Sequence, residues 1–138
     1  MGNHALDPDD AALREFWRER HLCTVTFIKP DGRPHVIPMG VVLSDDPDTA
    51  WAITSRDSFK ARLLQTPGPI AVCQVDGARW STLQGIASVL ADEASINEAV
   101  RMYTSRYRTP RPNPNRVAVR MTVEKIIGSI PNRREEPS

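Results

Sequence analysis

"IAVCQVDGARWSTLQGIASVL", residues 70–90, decides the fold. Two apolar, strand-like runs flank Asp76-Gly77, a pair well suited to a tight hairpin turn. Strands joined this way favour antiparallel pairing. Upstream, "CTVTFIK" (23–29) and "HVIPMGVVLS" (35–44) read as another hairpin about the "PDGR" turn at 30–33. Pro38 and Gly40 are awkward in its returning strand, because proline cannot donate to a ladder and glycine weakens a strand. That strand should be bulged, lie on an edge, or pack against something other than a strand. "AWAITS" (50–55) gives a further strand, and "RVAVRMTVEKI" (116–126) alternates from Val117 to Val123 with one buried face.

Helices flank these runs. Asp9 or Asp10 can cap a first helix over 9–21, with Leu13, Phe16 and Trp17 on one face. Ser58 can cap a short one, in which Phe59, Leu63 and Leu64 should face the core. "DEASINEAVRMYTSRYR" (92–108) places Ile96, Val100, Tyr103 and Tyr107 at helical spacing, and the prolines of "TPRPNPN" (109–115) stop it. The order is α, β, β, β, short α, β, β, α, β. Six antiparallel strands and few helices predict a mainly β protein, a small barrel with flanking helices. Residues 1–138 read as a single domain whose last residues, 130–138, form a flexible tail.

Composition narrows the function classes. A net charge of +1 argues against nucleic acid or an anionic membrane as the main partner. No apolar stretch approaches the ~20 residues that span a bilayer, and "MGNHALDPDD" lacks the features of a secretory leader. A cytoplasmic location is the expectation. Cys23 and Cys73 sit in apolar runs and read as reduced, buried thiols, while His4, His21 and His35 are too scattered to support a metal site. Of 18 basic residues, 15 are arginine, through codon bias or through recognition of planar anions by forked guanidinium donors.

Three stretches have the residue types for chemistry. In "TSRDSFKARLLQ" (54–65), Thr54, Ser55 and Ser58 supply hydroxyls where a strand meets a helix, and Lys60 adds an ammonium. These groups suit a phosphate cradle, although a capped and solvated turn explains them too. In "QVDGARWSTLQG" (74–85), Trp80 is either a core residue or an aromatic platform for a flat ligand. "RYRTPRPNPNR" (106–116) reads as a stiff, exposed cationic loop, either merely solvated or holding Arg108 and Arg111 toward carboxylates or phosphates.

In this order the three stretches resemble the flavin/deazaflavin oxidoreductases of the split β-barrel type, related to pyridoxamine-phosphate oxidase and FMN-binding proteins. "DGRPHVIPMG" resembles the first hairpin of that superfamily and "TSRDSFK" its phosphate-binding turn. "QVDGARW" with "RYRTPRPNP" resembles the F420-dependent biliverdin reductase group. The resemblance implies a homodimer with cofactor grooves at the subunit interface. The cofactor ring would lie against His35, Pro38, Met39 and Gly40, and the phosphate on Thr54, Ser55, Ser58 and Lys60. Arg56 and Arg62 would meet further anionic groups, and the facing subunit would contribute from the strand of Trp80. Coenzyme F420 would deliver a hydride to a conjugated substrate, biliverdin or a similar tetrapyrrole, whose propionates could pair with Arg108, Arg111 or Arg116. FMN is the alternative cofactor, and a carrier without turnover the alternative function. No residue stands out as the catalytic acid, His35 being named only for its place near the ring. Leu63 departs from the pattern, standing where relatives often carry Asn.

Overall fold

The computed structural model describes residues 5–131. Their elements are α1 (Ala11–Arg18), β1 (Cys23–Ile28), β2 (Pro34–Met39), β3 (Val42–Leu43), β4 (Thr49–Ser55), α2 (Phe59–Leu63), β5 (Gly68–Asp76), β6 (Arg79–Leu90), α3 (Glu93–Arg106) and β7 (Arg116–Ser129). The strands form a seven-stranded antiparallel sheet in the order β2-β1-β5-β6-β7-β4-β3. One strand more than expected appears because "HVIPMGVVLS" breaks at Gly40 and Val41 into β2 and β3.

That break shapes the molecule. β2 and β3 lie at opposite ends of the sheet order, yet only two residues separate them. Consecutive Cα atoms are ~3.8 Å apart, so the sheet must roll until its edges meet. The seam is crossed by the chain and not by a strand ladder, which makes this a split β-barrel. Pro38 is tolerated because β2 is an edge strand, paired only with β1.

Gly40 has a packing reason. A Cβ there would stand 3.0 Å from Tyr107 Cε2 and 3.1 Å from Tyr103 Cε2. The end of α3 fills the seam at this point. The Tyr107 hydroxyl accepts from Val41 N–H at 3.2 Å and donates to the His21 carbonyl at 2.7 Å.

Inward-facing residues follow the two-residue period of each strand. Val25, Phe27, Val72, Leu83, Val119 and Met121 are all buried and form much of the core. Asp10 caps α1 through Ala12 N–H and Leu13 N–H, and its buried face is Leu13, Phe16 and Trp17. Trp17 Nε1 donates to the buried Ser81 hydroxyl at 3.0 Å, so α1 is fixed to β6. A bulge between Gln84 and Gly85 of β6 shifts the register against β7. Gly85 is obligatory there, since its Cβ would fall 1.9 Å from the Thr122 carbonyl oxygen.

The buried line of α3 is Ala99, Met102 and Arg106, whereas Tyr103 and Tyr107 are half-buried. Arg106 therefore belongs to the core and not to the exposed loop in which its sequence neighbours place it. Among the described residues no helix is long and apolar enough to cross a membrane. Of the expected tail, the part from residue 132 onward lies outside the described residues.

Candidate anion and cofactor site

β4 ends at Ser55 and α2 starts at Phe59, so Thr54, Ser55, Ser58 and Lys60 fall within one strand-to-helix turn. Ser58 is the N-cap of α2, accepting from Ala61 N–H at 3.1 Å and from the Thr54 hydroxyl at 3.0 Å. With two donors on its oxygen, the Ser58 O–H is left to donate outward. Ser55 Oγ accepts from Asn113 Nδ2 at 2.9 Å, which directs its own O–H away from the loop. Lys60 has no carboxylate partner among the described residues, and burial pulls its ammonium below the usual lysine range. A desolvated, unpaired cation beside two outward O–H donors fits a phosphate. α2 itself is only five residues long, so its dipole adds little.

The arginine loop is attached to this turn. Arg56 N–H donates to the Asn115 carbonyl at 2.7 Å, and Ser55 is the register partner of Arg116. Arg116 is half-buried and braces the loop by donating to the Arg111 carbonyl. Arg108 and Arg111 are exposed, as are Arg56 and Arg62 of the turn. Sequence-distant cations thus gather at one end of the barrel. Leu63 is half-buried against the core, and the side-chain amide that does reach the turn is that of Asn113.

β2 forms the adjoining wall. Phe59 is 42% exposed and does not face the core as expected, because it turns toward β2. His35 meets it edge to face at a centroid distance of 5.0 Å, and Phe27 lies 6.5 Å behind His35. The turn and the wall are therefore neighbours. Met39 buries its side chain in the barrel, leaving only backbone for a ligand on the outer face, while Pro38 is exposed. Trp80 is half-exposed on β6, with β1 and β5 between it and β2, so one chain does not bring it to His35.

A second polar group was not legible as a unit. Arg79 is buried and donates to Glu19 at 2.7 and 2.9 Å and to Asp76, while His21 Nε2 lies 3.1 Å from Glu19. Glu19, His21 and Asp76 keep their ligand atoms within 4.8 Å of one another, but the Arg79 guanidinium holds the two carboxylates together. Hydrogen bonds from Arg79 bring the Glu19 carboxyl down to about 2 against the opposing effect of burial, with His21 helping less. Arg79 is correspondingly raised, chiefly through Glu19. Beside this group, Arg106 donates to the carbonyls of Glu19 (2.9 Å) and Val41 and to Gln74 Oε1, with its guanidinium over Trp17 and Tyr107. Burial pushes the neighbouring Cys23 thiol up, partly offset by Arg106.

A rolled antiparallel sheet with a hydroxyl-and-cation turn beside an edge strand defines the class, a split β-barrel whose turn has a donor set that fits an anionic group. The chain belongs to the pyridoxamine 5'-phosphate oxidase family, whose model matches residues 9–129. It is 40% identical over 129 residues to the F420H(2)-dependent biliverdin reductase of Mycobacterium tuberculosis (strain CDC 1551 / Oshkosh), covering 94% of this chain and 93% of that protein. Among solved structures, the conserved hypothetical protein Rv2991 of Mycobacterium tuberculosis superposes with a TM-score of 0.78 at 20% identity, over 99% of this chain and 92% of that one. HupZ of Group A Streptococcus gives 0.68 at 18% identity, over 88% and 94%. At these identities the two structures bear on the fold alone.

Proposed function

We infer that this chain is an F420-dependent reductase acting on a conjugated substrate, biliverdin or a similar linear tetrapyrrole, as a cytoplasmic homodimer. The observation that carries the reading is the 40% identity to a biliverdin reductase across nearly the whole of both chains. The donor set agrees with it, since Ser55, Ser58 and Lys60 suit the phosphate of F420 and Arg56 and Arg62 its further anionic groups. When bound, reduced F420 supplies the hydride.

The protein's share is position and electrostatics. Lys60 recovers its ordinary basicity as it pairs with the phosphate, because the pairing offsets the burial of its charge. The β2 wall of His35, Pro38 and Met39 backbone, with Gly40 just beyond its end, would face the ring of the cofactor. Arg108 and Arg111 would take the substrate carboxylates, with Arg116 shaping their loop. His35, lodged against Phe59, would be the candidate to pass a proton, and solvent is the other source.

The outer face of the sheet supports the dimer. Ile28, Val36, Val75 and Ile86 on β1, β2, β5 and β6 are 42%, 56%, 63% and 37% exposed, an apolar surface suited to a second copy. Trp80 of that copy would then complete the groove.

The test is steady-state oxidation of reduced F420 by biliverdin. The wild type should turn over, and R108A/R111A should raise KM by roughly tenfold or more with kcat little changed. An unchanged KM refutes the loop's role. Binding of both ligands without turnover would leave a carrier.

A further inference from the structure

We propose that Asn113 couples the arginine loop to the phosphate cradle, so that cofactor bound at Ser55 tightens binding of a carboxylate-bearing substrate at the loop. The inference rests on the function proposed above and concerns the coupling between its two binding subsites.

Residues 107–115 carry no helix or strand between α3 and β7. A connection of this kind holds one posture only where specific contacts impose it. Asn113 imposes it on the cradle side. Its Oδ1 accepts from Asn115 N–H at 2.9 Å and its carbonyl from Arg116 N–H at 3.1 Å. The first bond fixes which way the amide faces, so Nδ2 must point at Ser55, where it donates at 2.9 Å. No other side chain of the loop bonds to the cradle among the described residues.

Ser55 Oγ stands in the middle of a relay. It accepts from Asn113, and its O–H is the group offered to an anion. Hydrogen bonds in such a chain polarise one another, so a phosphate accepting from Ser55 strengthens the Asn113 bond, and a held Asn113 makes Ser55 a better donor. The effect must be reciprocal, because coupling between two sites is one free energy seen from either side. The loop that Asn113 steadies carries Arg108 and Arg111, the exposed guanidinium groups available to substrate carboxylates. Either ligand, once bound, therefore tightens the other.

The test is calorimetric titration of biliverdin into the full-length protein, alone and saturated with oxidised F420, which permits no turnover. F420 should lower the biliverdin Kd by roughly 5- to 10-fold, within the usual range of coupling between sites. Asn113→Ala should bind F420 within about threefold of wild type and lose the coupling. Ser55→Ala breaks the same bond from the other side, and the double variant should show no more loss of coupling than either single one. Equal biliverdin affinity with and without F420 in the wild type, or full coupling in Asn113→Ala, overturns the proposal while leaving the function intact. Failure of F420 to bind the wild type overturns both.

Discussion

Arg106→Met removes a guanidinium that joins α1, the barrel seam and β5. The Glu19 and Val41 carbonyls and Gln74 Oε1 lose their guanidinium donors, because the single Tyr107 O–H is already donated to the His21 carbonyl at 2.7 Å. Each buried acceptor left unsatisfied costs ~1–3 kcal/mol. The stacking over Trp17 and Tyr107, at 5.4 and 5.2 Å, contributes a further ~0.5–2 kcal/mol. Opposing this, the variant no longer buries a cation that has no carboxylate partner among the described residues, and Met fills much of the volume. The net expectation is a loss of about 2–3 kcal/mol. In urea denaturation followed by tryptophan fluorescence, a slope near 1.5 kcal/mol/M would make this a fall in midpoint of roughly 1.3–2 M at unchanged slope. Arg106→Lys keeps the charge but not the planar fork and should lose about as much. A midpoint within about 0.3 M of wild type for Arg106→Met would refute the reasoning and make Arg106 a tolerated burial.

Other variants test other parts. Glu19 has a folded-state value of about 2 against an ordinary 4.5, so its contribution is complete above that ordinary value and is lost as pH falls toward 2. Glu19→Gln should therefore cost ~1–2 kcal/mol at neutral pH, after allowance for partial exposure, and less at about pH 3. Urea midpoints at the two pH values measure the difference, and an equal penalty at both would contradict the assignment. Lys60→Met should weaken F420 by roughly 10- to 100-fold, as loss of a charged hydrogen bond does, without lowering the melting temperature. Loss of stability with unchanged affinity would make Lys60 structural. Gly85→Ala places a Cβ on the Thr122 carbonyl and should cost ~3 kcal/mol or more, read as loss of soluble protein or a collapsed melting transition. A wild-type melt would mean that the bulge can rearrange freely.

Strand positions were legible because each strand repeats every two residues and the Asp-Gly turn is local. A barrel was expected, but the place where it splits was not legible, since it depends on Gly40 and Val41 dividing one apolar run between opposite edges of the sheet. The packing partner that Gly40 required is Tyr107, 67 positions away in sequence and invisible to any local pattern. Hydroxyl and lysine positions of the turn could be read from "TSRDSFK" because they are consecutive. Asn113 was missed because it reaches Ser55 only through the pairing of β4 with β7. Arg106 was misjudged for a different reason. Charge and neighbours mark it as solvated, and only a supply of carbonyls from three elements makes its burial tolerable.

The central claim is that the turn after β4 holds the phosphate of a deazaflavin. Parallel titrations of the purified protein with F420 and with FMN, followed by intrinsic tryptophan fluorescence, address it most directly. The account predicts micromolar or tighter binding of F420, much weaker binding of FMN, and F420 binding weakened by roughly 10- to 100-fold in Lys60→Met. Preference for FMN would move the chain to the flavin users of its family, and binding of neither would reduce "TSRDSFKARLLQ" to a capped turn.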